Sequence, residues 1–172
     1  MGLAVLVANV TGCLVAPPIE REDEVNHMFT IHAESLKPPV QTSHAISLQL
    51  GQAQQFFAID AVSDPDGDDP FYLWFVRSPS TDEILDDRLG FPSYTFDPCD
   101  RRFGTNGSVL PPQVFVEVVA ADRDPLPPVS PGEDTVEEPA GPVAGPYRFP
   151  EGANVATVGW WWITLAEGGT CP

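Results

Sequence analysis

The densest chemistry in the chain is Asp64-Pro65-Asp66-Gly67-Asp68-Asp69-Pro70, which puts four carboxylates within six positions. A hard cation such as calcium takes six to eight oxygen ligands at about 2.3–2.6 Å, and clustered Asp side chains supply them. Asp122 and Asp124 follow a long apolar alternation, in a turn that a two-layer β structure can bring to the same end. Asp64, Asp66, Asp68, Asp69, Asp122 and Asp124 are therefore the candidate calcium ligands. A plainer chemistry competes. Gly67 takes positive φ at no steric cost, and Asp side chains accept hydrogen bonds from nearby backbone N–H groups, so the same residues close a tight turn without an ion.

Other chemistries find little support. Asp64, Asp66 and Asp68 have the spacing of the first three ligands of an EF-hand loop, but Phe75 stands where the bidentate Glu is needed. His27, His32 and His44 are scattered, with no CxxC or HxxxH to make a zinc site. There is no G-x-S-x-G, P-loop or dinucleotide fingerprint. A glycosidase needs paired carboxylates across a cleft, which one small sandwich rarely offers. The expectation is a protein without catalytic residues.

Residues 2–16 carry no charge and are too short for a membrane-spanning helix, which takes about 20 apolar residues. They suit the apolar region of an export signal. Val10-Thr11-Gly12-Cys13 resembles the bacterial lipobox, an aliphatic residue and two small residues before an obligatory Cys. The resemblance implies a signal peptide over 1–12, acyl chains on Cys13 and a membrane anchor. One feature departs from it: no Lys or Arg precedes the apolar run. The competing reading is a buried N-terminal strand holding Cys13 as an ordinary small residue. N-myristoylation does not fit, since position 6 is Leu6. Pro17, Pro18 and the acids Glu20, Glu22, Asp23 and Glu24 read as a solvated tether over 13–28. Leu14 is not an acidic retention residue, which points to the outer membrane. With Cys13 lipidated, an exported protein is expected to pair Cys99 with Cys171, whereas a reducing compartment would leave two thiols.

The elements positioning these residues read as strands. Alternation marks residues 29–33, 45–50, 54–62 (Phe57, Ile59 and Ala61 on one face), 71–77, 93–96, 114–121 and 155–165. Val114, Val116, Val118 and Ala120 are expected to point inward. Residues 124–151 hold eight prolines and six acids and read as a long loop before the last strand, a tolerated insertion rather than a functional segment. In Trp160-Trp161-Trp162 the middle side chain must oppose its neighbours, so one face belongs to the core. The other is covered by the long loop or the tether, or offers an interaction surface for a protein or a glycan.

No helical period appears, and 20 Pro argue against a helix bundle. The expected fold is all-β, a single antiparallel Ig-like β-sandwich over 29–172. Residues 61–74 (AVSDPDGDDPFYLW) and 117–125 (EVVAADRDP) resemble the strand–DPDGD–aromatic strand pair of bacterial PKD and cadherin-like Ig modules. The resemblance implies fold more than function. Eight Lys+Arg, with Lys37 the only lysine, against 25 Asp+Glu give a net charge of −17, which excludes nucleic acid as a partner. The sequence thus points to a non-catalytic envelope lipoprotein, a binding or structural module, with an accessory subunit of a larger envelope assembly as the alternative.

Overall fold

The computed structural model describes residues 26–40, 44–104, 107, 109–126 and 141–172. Among these the strands are β1 (Thr30–Ile31), β2 (Ile46–Leu50), β3 (Gln54–Phe57), β4 (Val62–Ser63), β5 (Phe71–Arg77), β6 (Ile84–Leu89), β7 (Ser93–Phe96), β8 (Gln113–Ala121), β9 (Val143–Ala144), β10 (Tyr147–Arg148) and β11 (Val155–Gly169). The chain is all-β, as its composition and alternation predict. Five strands form the principal sheet in the order β2-β11-β8-β5-β6, and β3 pairs with β7 and β1 with β4. Pairing is antiparallel throughout except between β2 and β11, which run parallel.

The two layers close over one aromatic-rich core. The principal sheet contributes Tyr72, Trp74, Val76, Val114, Val116, Val118, Trp161 and Ile163, and the β3–β7 pair contributes Phe56, Tyr94 and Phe96. Val114, Val116, Val118 and Ala120 are all buried, as the period-2 pattern of β8 requires. Trp161 lies at the centre, its ring 4.9 Å from Phe56 and 6.1 Å from Trp74, with Nε1 donating to the Pro38 carbonyl at 2.8 Å. A bulge places it there. Val158 is an extra residue in β11 between the pairs Thr157↔Val119 and Gly159↔Val118. Gly159 is needed at this point because a Cβ would lie 2.5 Å from Leu36 Cδ1.

Two expectations are corrected. Residues 54–62 are not one strand. The Ala61 N–H donates to the Ala58 carbonyl at 3.1 Å and Asp60 has φ = 59°, so a tight turn separates β3 from β4. The buried residues are consequently Phe56, Ala58, Ala61 and Val62, while Ile59 is 52% exposed. Nor is the whole of 124–151 an excursion. Its last part forms the β9–β10 hairpin, and Ala144 and Phe149 cover Leu73, Phe75, Val119 and Ala121 on the outer face of the sheet. Gly145 turns the hairpin at φ = 59° and sits so close that a Cβ would meet Phe75 Cε1 at 2.8 Å. β5 is therefore buried on both faces, which explains its unbroken run of apolar residues.

The two neighbouring tryptophans of β11 should separate cleanly in stability. Trp161→Ala is expected to cost about 3–5 kcal/mol in denaturant unfolding. Trp160→Ala, at a position 38% exposed, should cost under about 1 kcal/mol. Equal losses would contradict the inward placement of Trp161.

Candidate functional site

The pair Phe71↔Ala121 brings the residues just before β5 and just after β8 to one end of the sheet, so the Asp64–Asp69 turn and Asp122 share that end. Oxygens of Asp64, Asp66 and Asp122 accept hydrogen bonds from the protein itself. Asp64 Oδ1 accepts from the Asp66 backbone N–H at 2.8 Å, and the Asp64 carbonyl accepts from Gly67 N–H at 3.2 Å. Asp66 accepts the His27 backbone N–H through Oδ2 and faces His27 Nδ1 through Oδ1, both at 2.6 Å. The His27 backbone N–H first, and its ring second, hold the Asp66 carboxyl below the usual carboxylate range. Asp122 is buried and accepts from Asn26 Nδ2 at 2.8 Å, Asn154 N–H at 3.0 Å and Asn154 Nδ2 at 2.7 Å. Asn154 Nδ2 also donates to the His27 carbonyl at 3.0 Å. Asn26 and His27 thus fasten the start of the described chain across the acidic end.

Six to eight oxygens would have to converge for calcium. Asp64 Oδ2 is buried without a hydrogen-bond partner among the described residues, but Asp68, Asp69 and Asp124 are exposed. Among the described residues no three His, Cys, Asp or Glu side chains come together as a metal-binding group. The six predicted ligands do not form a calcium cage as they stand. Amide and imidazole groups instead bind Asp66 and Asp122.

The tryptophan triplet divides as the pleat demands. Trp161 belongs to the core and is no interaction surface. Trp160 and Trp162 lie on the outer face, edge to face at 6.1 Å and 85°, and Trp162 meets Phe115 at 5.7 Å. Beside them Glu117 accepts from Arg77 Nε at 2.9 Å and from Thr157 Oγ1 at 2.9 Å. This strip lies beyond the part of the sheet covered by the β9–β10 hairpin.

Cys99 and Cys171 form a disulfide with Cα atoms 5.4 Å apart, closing a sequence separation of 72. Restricting the unfolded chain over that loop contributes about 4 kcal/mol in the chain-entropy account. The bond lies at the end of the sheet opposite Asp122, next to Gly51, whose N–H donates to Cys99 Sγ at 3.1 Å. Cys13 lies outside the described residues.

Sequence reasoning missed a second polar cluster. Asp86 and Asp87 are consecutive in β6 and so face opposite ways. Asp86 is buried and accepts from the Tyr94 hydroxyl at 2.7 Å and from Arg102 Nη1. Asp87 accepts from the Tyr147 hydroxyl of the hairpin. Arg102 also pairs with Asp100 at 2.7 Å, and the guanidinium hydrogen bond pulls the Asp100 carboxyl down to about 2. Two adjacent acids in an otherwise strand-like segment, with a tyrosine available to each face, were the signal that could have revealed it.

Comparison of the chain with protein-family models, with curated proteins and with solved structures returned no match. The reading of function therefore rests on the residues alone.

Two measurements follow from this geometry. The chain has three tyrosines, Tyr72, Tyr94 and Tyr147, and all have raised pKa values. Burial is the chief cause for each, and for Tyr147 burial and the Asp87 bond push it up to about 12. The protonated phenols thus stabilise the fold fully below about pH 10, and this contribution is lost as pH rises through the folded values. Absorbance titration at 295 nm should place all three phenols above their unfolded value of about 10, with Tyr147 near 12; a phenol ionising at or below about 10 in the folded protein would refute the assignment. Because protein donors satisfy Asp66 and Asp122, excess calcium and chelator should give melting midpoints within about 1 °C. A calcium-dependent rise of about 5 °C or more would show that the turn rearranges around an ion.

Proposed function

We propose that this chain is a non-catalytic cell-envelope lipoprotein, an Ig-like binding or structural module held on the outer membrane by acyl chains on Cys13. The observation that carries the reading is its account of all three cysteines. Cys13 lies near the end of the uncharged N-terminal run, in the sequence Val10-Thr11-Gly12-Cys13, and the other two are joined to each other. A stable disulfide suits an exported protein, and the lipobox supplies a reason for the third cysteine to stay out of it. Catalysis finds no support in the acidic end, where Asp66 and Asp122 are bound to His27, Asn26 and Asn154.

The anchoring reading also implies a point of attachment. Twelve residues, 14–25, separate the lipid attachment at Cys13 from Asn26, thirteen Cα steps that span at most about 45 Å. Asn26 and His27 are fastened at the acidic end, so the tether joins the folded domain there rather than at the disulfide end. The half-exposed strip of Trp160, Trp162 and Phe115 favours the second reading, an accessory subunit docking on a larger envelope assembly, with 124–151 as a further docking segment.

The test is fractionation with mass spectrometry of the native protein. The membrane fraction should contain a chain beginning at a Cys13 that carries acyl groups, and Cys13→Ala should move the protein to the soluble fraction. An unmodified, uncleaved chain in the soluble fraction would overturn the anchor. In-cell cross-linking separates the two readings, since a subunit returns one stoichiometric partner.

A further inference from the structure

A groove of about 560 Å³ opens between the 3₁₀ turn Ala33–Ser35 and the turn joining β3 to β4. Glu34, Ser35, Lys37, Phe57, Ile59 and Asp60 line it. Its volume is within the range of small-molecule sites, about 300–1,000 Å³. The frame is fixed by backbone pairing, with Lys37 N–H donating to the Phe57 carbonyl at 3.0 Å and Phe57 N–H to the Lys37 carbonyl at 2.7 Å. His32 N–H donates to the Ala61 carbonyl at 2.8 Å and ties the two walls together again.

The residues displayed on this frame are not those that folding alone selects. In the Ala58–Ala61 turn the third position has φ = 59°, where Gly or Asn is the relaxed choice, yet Asp60 occupies it. The second position favours Pro, yet Ile59 stands there with 52% of its surface exposed. Lys37, the only lysine of the chain, forms no ion pair within 4 Å among the described residues. One groove therefore presents an ammonium, two carboxylates and an apolar wall of Phe57 and Ile59, held open at some conformational cost.

We propose that this groove binds a short zwitterionic peptide with apolar side chains. Lys37 receives its carboxylate, Glu34 and Asp60 receive its ammonium, and Ile59 and Phe57 take an apolar side chain. Opposite charges in one small site discriminate against ligands lacking either terminus, because the unmatched protein charge is then desolvated without a partner. The site is independent of membrane anchoring and stands or falls separately from it.

The experiment is an amide NMR titration of the full chain with leucyl-leucine, its N-acetyl derivative and its C-terminal amide. Binding on the order of 0.1–1 mM is expected, with shifts centred on Lys37, Phe57, Ile59 and Asp60. Each capped derivative should bind about tenfold more weakly. Lys37→Gln should remove the penalty for amidation and Asp60→Asn most of that for acetylation. Ile59→Ser should weaken binding about tenfold with the melting temperature unchanged, because the side chain is exposed. Asp60→Gly should leave the melting temperature equal or higher while binding falls, separating strain relief from recognition. Absence of shifts in the groove at about 20 mM peptide, or equal binding of free and capped peptides, would overturn the proposal.

Discussion

A buried indole must stack its ring and find an acceptor for its N–H, and Trp161 meets both demands only where three parts of the chain converge. Its strand is held between β8 and the parallel β2, its ring packs on Trp74 and Phe56 from opposite layers, and its N–H reaches the Pro38 carbonyl. The neighbouring glycine then becomes necessary. Leu36, fully buried, crosses where a Cβ on residue 159 would stand, so the crossing segment and the bulge depend on one another. Through this segment the constraint reaches Lys37 and its pairing with Phe57.

From that centre the polar features follow by geometry. The pleat that turns Trp161 inward turns Trp160 and Trp162 outward. The same alternation splits Asp86 from Asp87, one facing Tyr94 and Arg102 in the core's margin, the other facing the hairpin tyrosine. At the acidic end Asp122 lies next to the β5–β8 pairing and is buried, so it must be satisfied; Asn26 and Asn154 supply the amides. A net charge of −17 is tolerated because the buried acids have protein donors and many of the rest stand in turns facing water.

Much of this was legible in the sequence where side chains alternate strongly. The inward face of β8, the extent of β5, the β7 segment and the Cys99–Cys171 pair can be read without coordinates. The break at Ala58–Ala61 cannot, because nothing in Ala58-Ile59-Asp60-Ala61 marks a turn as Pro or Gly would, and the missed break reversed the predicted face of Phe57. β6 was hidden for the opposite reason: Asp86, Asp87 and Arg88 interrupt the apolar pattern, and only tertiary partners make a buried Asp affordable there. The hairpin was hidden by its prolines and by sparse apolar residues, of which Ala144 and Phe149 alone are buried. The candidate groove was invisible, since its charges come from residues whose proximity depends on the Lys37–Phe57 bridge.

If Trp161 and its strand bind the two layers together, opening β11 must open the whole sandwich. Native-state hydrogen exchange tests this directly. The amides of β11 and β8 around Trp161 and Val116 should exchange only through global unfolding, with a denaturant dependence equal to that of the whole molecule. Exchange of those amides by local opening, at lower free energy than the amides of β3 and β7, would contradict the account.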